Sequence, residues 1–353
     1  MSQAPSPQPV LARLAELHPG QVCHLPATDA SSEAWHQWSQ PEIDALRLAY
    51  AAGRPLLVRG EPGTGKTQLA RAAAEWLDWR LQAETIHPRF EAHELRYRFD
   101  AVRRLADAQA GEQELDKKAE RYWRPGVLWK AYGWESAERF LPDAEKIAEP
   151  EGHVVLIDEI DKADSDLPNS LLEVLAQRSF HVEPVLAPIG GPSVQPPLVI
   201  ITTNEERDLP AAFLRRCIVL SLDGGKDYAA WLVERGKAHF GKQPKIEGRE
   251  LPLIDDTILQ AAADQLVTDR EAVASLNLPK PGLAEYLDLL YALKTLFEHE
   301  ADAATRTAQQ KAWLIRLSAY GYLKHAVDNP ASSAHQPTQA QQRMGATDAP
   351  PAG

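Results

Sequence analysis

The stretch that most constrains this chain is Gly60, Glu61, Pro62, Gly63, Thr64, Gly65, Lys66, Thr67, set between a short apolar run at 55–58 and a helical pattern over 68–76. Glycines at 60, 63 and 65 let backbone N–H groups turn inward and approach an anion where a side chain would block it. A helix starting at Lys66 aims its free N–H groups and positive dipole end at the same point. Lys66 supplies an ammonium for β- and γ-phosphates, and the Thr67 hydroxyl is a ligand for Mg²⁺. These eight residues read as a phosphate-binding loop between a strand and a helix, and they are the candidate nucleotide-binding residues.

Two later segments fit the same site. Residues 154–157 are an apolar strand that ends in Asp158 and Glu159. Asp158 is suited to hold Mg²⁺ through its water shell, and Glu159 to polarise an attacking water. Residues 198–203 are a second apolar strand, of the kind buried in the centre of a parallel sheet, and it ends at Asn204. An amide there either orients water or a γ-phosphate, by the rule that ligands lie at the carboxyl edge of such sheets, or simply turns the chain. A short helix over 210–216 leads into a fifth strand at 217–220, with Arg215 and Arg216 at its edge. Those arginines are exposed charge, or one reaches the γ-phosphate of a neighbouring subunit.

The rest of the chain supplies the frame. Residues 1–10 read as unstructured, 11–18 as a short helix, and the stretch up to 38 as irregular. Ser39, Gln40 and Pro41 start a helix with Ile43, Leu46 and Tyr50 on one face, stopped by Gly53. A strand is expected at 81–86, and one long amphipathic helix over 93–109 with Leu95, Phe99, Val102 and Leu105 as its stripe. The charge-rich run 111–120 reads as a solvated insertion. The aromatic cluster at 122–129, interleaved with Arg124 and Lys130, either packs under the inserted helices or grips a threaded polymer. Helices are expected at 137–149 and 166–178, and a hairpin at 180–186. Beyond 226 the pattern is helical only, at 226–240, 256–267, 283–298 and 303–326. Residues 331–353 contain no Val, Ile, Leu, Phe, Tyr or Trp and read as a disordered tail.

The expected fold class is therefore α/β, a P-loop core with a mainly parallel central sheet, followed by a small all-α domain. The expected organisation is an extension at 1–34, a nucleotide-binding core at 35–225 with a helical insertion at about 93–150, a helical lid at 226–328 and a tail at 329–353. Composition narrows the function classes. A net charge of −12 over 353 residues disfavours a surface built to grip nucleic acid. Cys23 and Cys217 are too few for a disulfide framework or zinc site, which suits a reducing cytoplasm, and Cys217 reads as a buried strand thiol. The eleven histidines lack metal-ligand spacing. Neither a secretory leader nor a membrane span is expected.

In their order along the chain, residues 60–67, 154–159, Asn204 and Arg216, followed by an all-helical segment, resemble the AAA+ ATPases over roughly 35–326. In that family's terms they are Walker A, Walker B, sensor 1 and the arginine finger, with Arg215 as the alternate finger. The insertion between the Walker motifs, the stretch 124–128, the hairpin before sensor 1 and the segment 209–216 are most similar to the MoxR branch, related to dynein-type modules. The resemblance implies ATP and Mg²⁺ as ligands and a ring, commonly a hexamer. It further implies remodelling of a protein client, often beside a partner with a von Willebrand A domain. One departure stands out: where the family carries a sensor 2 arginine, residues 278–284 offer only Lys280, which brings charge without the fork of a guanidinium. The competing readings are a nucleic-acid motor of restriction type, disfavoured by the acidic balance and the lack of an Asn-Lys-x-Asp guanine signature, and a nucleotide-gated scaffold with little turnover.

Overall fold

The computed structural model describes residues 6–29, 31–111, 120–164, 166–241, 253–274 and 280–321. The expectations for residues 1–5, most of the run 111–120 and the tail at 329–353 lie outside the described residues. Two compact units are present, one within 1–33, 38–60 and 66–222, the other within 34–37, 61–65 and 223 onward.

The chain begins with α1 (Gln8–Ala15), β1 (Val22–Leu25) and β2 (Ala34–Gln37). The helix is earlier than expected: Pro7 and Pro9 fit its N-terminal turn, and Val10, placed in the unstructured stretch by sequence, is buried. The two strands correct the irregular reading of 19–38. Next, α2 (Gln40–Ala52) follows its sequence signals closely. The Glu42 side chain accepts from the Ser39 N–H at 2.7 Å, the Glu42 N–H donates to the Ser39 hydroxyl at 3.4 Å, and Gly53 ends the helix at φ 59°.

The first unit is built on five parallel strands: β3 (Leu56–Arg59), β4 (Arg80–Thr85), β7 (His153–Asp158), β10 (Leu198–Thr203) and β11 (Ile218–Ser221). Their order across the sheet is β11-β3-β10-β7-β4. Register runs Ile218 to Leu56, Ile200 to Leu56, Leu198 to Val154 and Arg80 to His153, which brings the carboxyl ends of β3, β7 and β10 side by side. Every residue of β10 is buried, as are His153 to Ile157 of β7, which explains why both read as unbroken apolar runs. α3 (Lys66–Leu77) leaves β3 through the glycine loop and buries Leu69, Ala70, Ala73 and Leu77.

The insertion departs most from expectation. Instead of one helix over 93–109, a single 3₁₀ turn at Ala92–Leu95 is followed by β5 (Tyr97–Phe99) and then α4 (Ala101–Gln109). β5 pairs antiparallel with β6 (Trp123–Pro125), and the Asp100 carboxylate accepts from the Arg103 N–H at 2.8 Å, restarting the chain as a helix. The apparent stripe was a coincidence of spacing across a strand. Leu95 is buried, whereas Val102 and Leu105 are exposed. The helix expected over 137–149 is likewise absent: α5 (Val127–Tyr132) and α6 (Trp134–Glu138) precede Pro142 and one 3₁₀ turn at Asp143–Glu145. The aromatic cluster resolves in favour of packing, with Tyr122, Trp123 and Trp129 all in the core. Tyr122 donates to the Asp107 carboxylate at 2.9 Å and Trp129 Nε1 to the Ser136 hydroxyl at 2.9 Å, so the buried polar tips are satisfied.

α7 (Asp166–Gln177) leads to a hairpin of β8 (Ser179–Phe180) with β9 (Ile189–Gly190), whose second strand is later than the 180–186 pattern suggested. α8 (Ala211–Leu214) precedes β11. In the second unit, α9 (Tyr228–Phe240), α10 (Asp256–Ala274), α11 (Leu283–Phe297) and α12 (Ala303–Gly321) share a core that includes Leu232, Phe240, Ile258, Leu266, Tyr286 and Leu290. α10 runs seven residues past its expected end at 267, which places Arg270 on a helix. Among the described residues no helix is long and apolar enough to cross a membrane.

Candidate active site

The loop from β3 to α3 has the backbone its glycines suggest. Gly60, Gly63 and Gly65 take φ values of 154°, 78° and 94°, a region that side-chain-bearing residues avoid. Lys66, at the first position of α3, is buried, and its Nζ donates to the Gly60 carbonyl at 2.8 Å. Burial pushes its pKa below the usual lysine value, opposed by the negative charges of Asp158, Asp161, Glu159 and Glu205. With four carboxylates around one ammonium the surround is net negative, so an anion is accommodated there together with a counter-cation. The Thr64 hydroxyl turns back to the Glu61 carbonyl at 2.9 Å.

At the end of β7 the carboxylates are placed by neighbouring strands. The Thr67 hydroxyl lies 3.1 and 3.3 Å from the two Asp158 oxygens. Thr202, the next-to-last residue of β10, spends its hydroxyl proton on Asp158 and accepts the Glu159 backbone N–H at 2.9 Å. That bond helps hold Glu159 at φ 59°, ψ 49°, a left-handed conformation unusual for glutamate. The turn sends the carboxylate of Glu159 toward Asn204, whose Nδ2 donates to Oε1 at 3.1 Å. Buried Asp161 fixes the loop beyond, accepting from the N–H groups of Asn204 at 3.4 Å and Glu206 at 3.0 Å.

Lys66, Thr67, Asp158, Glu159 and Asn204, predicted from three separate stretches, thus meet at one edge of the sheet. Sequence reasoning passed over Thr202 and Asp161. Their signal was faint, two polar residues beside apolar strand ends, and only strand adjacency gives it meaning. Arg215 and Arg216 are exposed, and Arg54 Nη1 donates to the Arg215 carbonyl at 3.3 Å. Neither guanidinium is among the groups that perturb Lys66. Lys280 is exposed. Cys217 lies just before β11 rather than on it, is buried, and its thiol is pushed up to about 12 by burial, the state of an inert thiol.

Thr67 and Asp158 are hard oxygen donors of the kind that bind Mg²⁺ together with phosphate oxygens. Among the described residues there is no cluster of three or more His, Cys, Asp or Glu side chains that could hold a metal unaided. The two donors fit a divalent cation that takes its remaining ligands from phosphate oxygens and water.

Residues 55–217 match the family model of the AAA domain, dynein-related subfamily. Among solved structures the chain is similar to the RuvB Holliday junction branch migration motor of Thermotoga maritima, at 16% identity over 77% of this chain and 66% of that one, with a TM-score of 0.39. A mutant of the same protein gives 14% identity over 80% and 70%, TM-score 0.39. The chain spans about two thirds of the length of these motors. A candidate ATPase from Cytophaga hutchinsonii is similar at 15% identity over 89% of this chain and 79% of that one, TM-score 0.37. No curated protein matches the chain.

Proposed function

We propose that this chain, which carries an AAA domain of the dynein-related subfamily over residues 55–217, hydrolyses ATP and assembles into a ring of MoxR type that remodels a protein client. The observation that carries the reading is the placement of Glu159, whose carboxylate is held by the Asn204 amide at 3.1 Å while Asp158, one residue earlier, faces the Thr67 hydroxyl.

The loop N–H groups and Lys66 bind the β- and γ-phosphates of the substrate. Thr67 and Asp158 would hold Mg²⁺, which when bound would supply charge neutralisation at the phosphate oxygens. Glu159 takes up the proton of the attacking water as the water adds to the γ-phosphorus and the bond to the β-γ bridging oxygen breaks. Asn204 orients that carboxylate and the water. Arg216 of an adjacent subunit, with Arg215 as the alternate, stabilises the transferring phosphoryl group across the ring. A partner with a von Willebrand A domain is the expected link to the client. Mass spectrometry of complexes trapped in ATP identifies both.

The test is Glu159→Gln, which keeps the Asn204 contact and removes the base. Steady-state turnover should drop by roughly 100-fold or more, within the range for loss of general-base catalysis, with ATP affinity retained and the ATP-bound assembly persisting on a sizing column. Unchanged turnover would remove Glu159 from the chemistry, and wild-type protein that does not bind ATP would overturn the reading altogether.

A further inference from the structure

The glycines that let the phosphate loop close round an anion also leave it free to collapse. Such a loop needs something outside itself to hold it open. In this chain residues 61–65 group with the helical unit rather than with the sheet, and one side chain of that unit reaches the loop directly. Arg270, three turns or more into α10, forms an ion pair with the carboxylate of Glu61, the second residue of the loop. Its other terminal nitrogen donates to the Pro281 carbonyl at 2.9 Å. The guanidinium plane lies over the ring of Tyr228 on α9, 4.7 Å from the centroid.

The fork of this arginine is thus shared between the loop and the turn before α11, with an aromatic platform beneath it. Only 18% of the Arg270 side chain is exposed, against 50% for Glu61, so the cationic end is fixed and the anionic end is the part that can move. The same turn supports the loop a second way. A methyl group built on Gly63 would lie 2.7 Å from the Ala284 Cβ, so the first turn of α11 and the loop are in close register. Gly282, just before α11, has its N–H on the Glu285 carboxylate at 2.9 Å, which keeps that turn rigid.

We propose that Arg270 is a positioning residue for the nucleotide: through Glu61 it holds the phosphate loop in its binding conformation and makes that conformation depend on the placement of α10. The inference rests on the ATP reading of the site. It assigns the task of reporting nucleotide to the helical unit not to Lys280, the only cation expected there from sequence, but to an arginine that touches the loop rather than the phosphates. Lys280 is exposed, whereas Arg270 is anchored at both of its terminal nitrogens. A partly buried, charge-assisted and forked contact of this kind is worth more than an open surface pair.

The experiment measures affinity of the full-length chain for a fluorescent ADP and for ATP with Mg²⁺. The variants are Arg270→Ala, Glu61→Ala and the exchanged pair Glu61→Arg with Arg270→Glu, and melting temperatures are read alongside. Each single variant should weaken nucleotide binding about 5- to 30-fold, the scale of one lost charge-assisted hydrogen bond at tenfold per 1.4 kcal/mol. The exchanged pair should recover to within about threefold of wild type, because the pairing and not either residue alone carries the effect. Glu61→Ala, at the half-exposed end, keeps the test valid if Arg270→Ala is poorly folded. Singles within twofold of wild type, tighter binding in either single, or an exchanged pair no better than the worse single would each overturn the proposal. Wild-type protein that binds neither nucleotide would instead overturn the ATP reading beneath it.

Discussion

The Thr202 hydroxyl is the narrowest point of the site, because its one proton and one accepting direction serve two different neighbours, Asp158 and the Glu159 N–H. Thr202→Val keeps the shape and removes both bonds. The N–H of a strained glutamate is then left without its partner at a part-buried position, at a cost of about 1–3 kcal/mol. The expected outcome is that loss of stability in urea together with a fall in turnover of roughly tenfold or more, since each 1.4 kcal/mol of lost transition-state stabilisation is a factor of ten, while ATP binding by the loop is little changed. Equal losses in affinity and turnover would mean that Thr202 supports the whole sheet edge and not Glu159 in particular. Asn204→Ala should show the same split with less effect on stability, because its amide is not fully buried.

A second residue carries a pH effect far from the chemistry. His153 opens β7, packs 5.7 Å from the Trp134 ring and has its pKa lowered to about 4, first by burial and then by the nearby Arg80. In the unfolded chain a histidine takes up its proton near 6.5. Above that pH both states are neutral and the group contributes nothing to the slope. As pH falls from about 6.5 to about 4 only the unfolded state is protonated, so the fold loses stability across that window and the loss levels off below it. The full size is at most about 3 kcal/mol. Comparing urea midpoints of wild type and His153→Gln at pH 7 and pH 5 isolates this residue, since buried His239, with its own pKa near 4, and Asp269, raised to about 6, are common to both chains. A wild-type midpoint no more acid-sensitive than the variant would show that His153 is protonated in the folded state.

At the level of elements, the insertion depends on one close approach. Gly126 has an ordinary φ of −78°, so it is not needed for its backbone freedom. It is needed for space: a methyl group there would lie 2.3 Å from the Glu94 carbonyl oxygen and 2.5 Å from that of Leu95. The obstacles are backbone atoms, which cannot step aside as a side chain can. Gly126→Ala should cost about 3 kcal/mol or more, at the upper end for overpacking, and loosen the β5-β6 pair beside it. Near-ultraviolet circular dichroism would register this through Trp123, which packs 5.0 Å from Tyr97 and 4.7 Å from Phe99. A native spectrum and melting point would show that the 3₁₀ turn at 92–95 can shift freely.

The same region shows where sequence reading succeeds and fails. The inner strands β3, β7 and β10 were legible because a strand buried on both faces writes itself as an uninterrupted apolar run, and α2 was legible because Ser39, Glu42 and Gly53 mark both its ends. The site residues on strand ends followed from those runs. What failed was partner-dependent. Tyr97 to Phe99 are a strand only because Trp123 to Pro125 lie beside them, and no local pattern states that pairing. Arg270 escaped for the same reason: its meaning lies in a carboxylate more than two hundred positions earlier in the chain.

For the molecule as a whole, the proposed ring would place an arginine of one subunit at the site of the next. Among the described residues Lys66 and Arg59 are cations at the strand ends, Arg59 engaged with Ser221 and Glu205, and within one chain Arg215 and Arg216 are exposed at the edge of the sheet before β11. If Arg216 completes the site of a neighbouring subunit, activity per subunit must rise with protein concentration, because an arginine supplied in this way is worth about 10³–10⁵ in rate. The expected curve of specific ATPase activity is near zero at nanomolar protein and climbs steeply through the micromolar range, where contacts with dissociation constants near 1 μM form. Arg216→Ala should flatten it without loss of ATP binding, and mixing that variant with Lys66→Ala should restore part of the activity, because each supplies what the other lacks at half of the mixed interfaces. Arg215→Ala distinguishes the alternate finger by the same measure. A specific activity independent of concentration from nanomolar to tens of micromolar, with Arg216→Ala equal to wild type, would mean that each subunit contains its whole catalytic site, and the ring would then have no part in the chemistry.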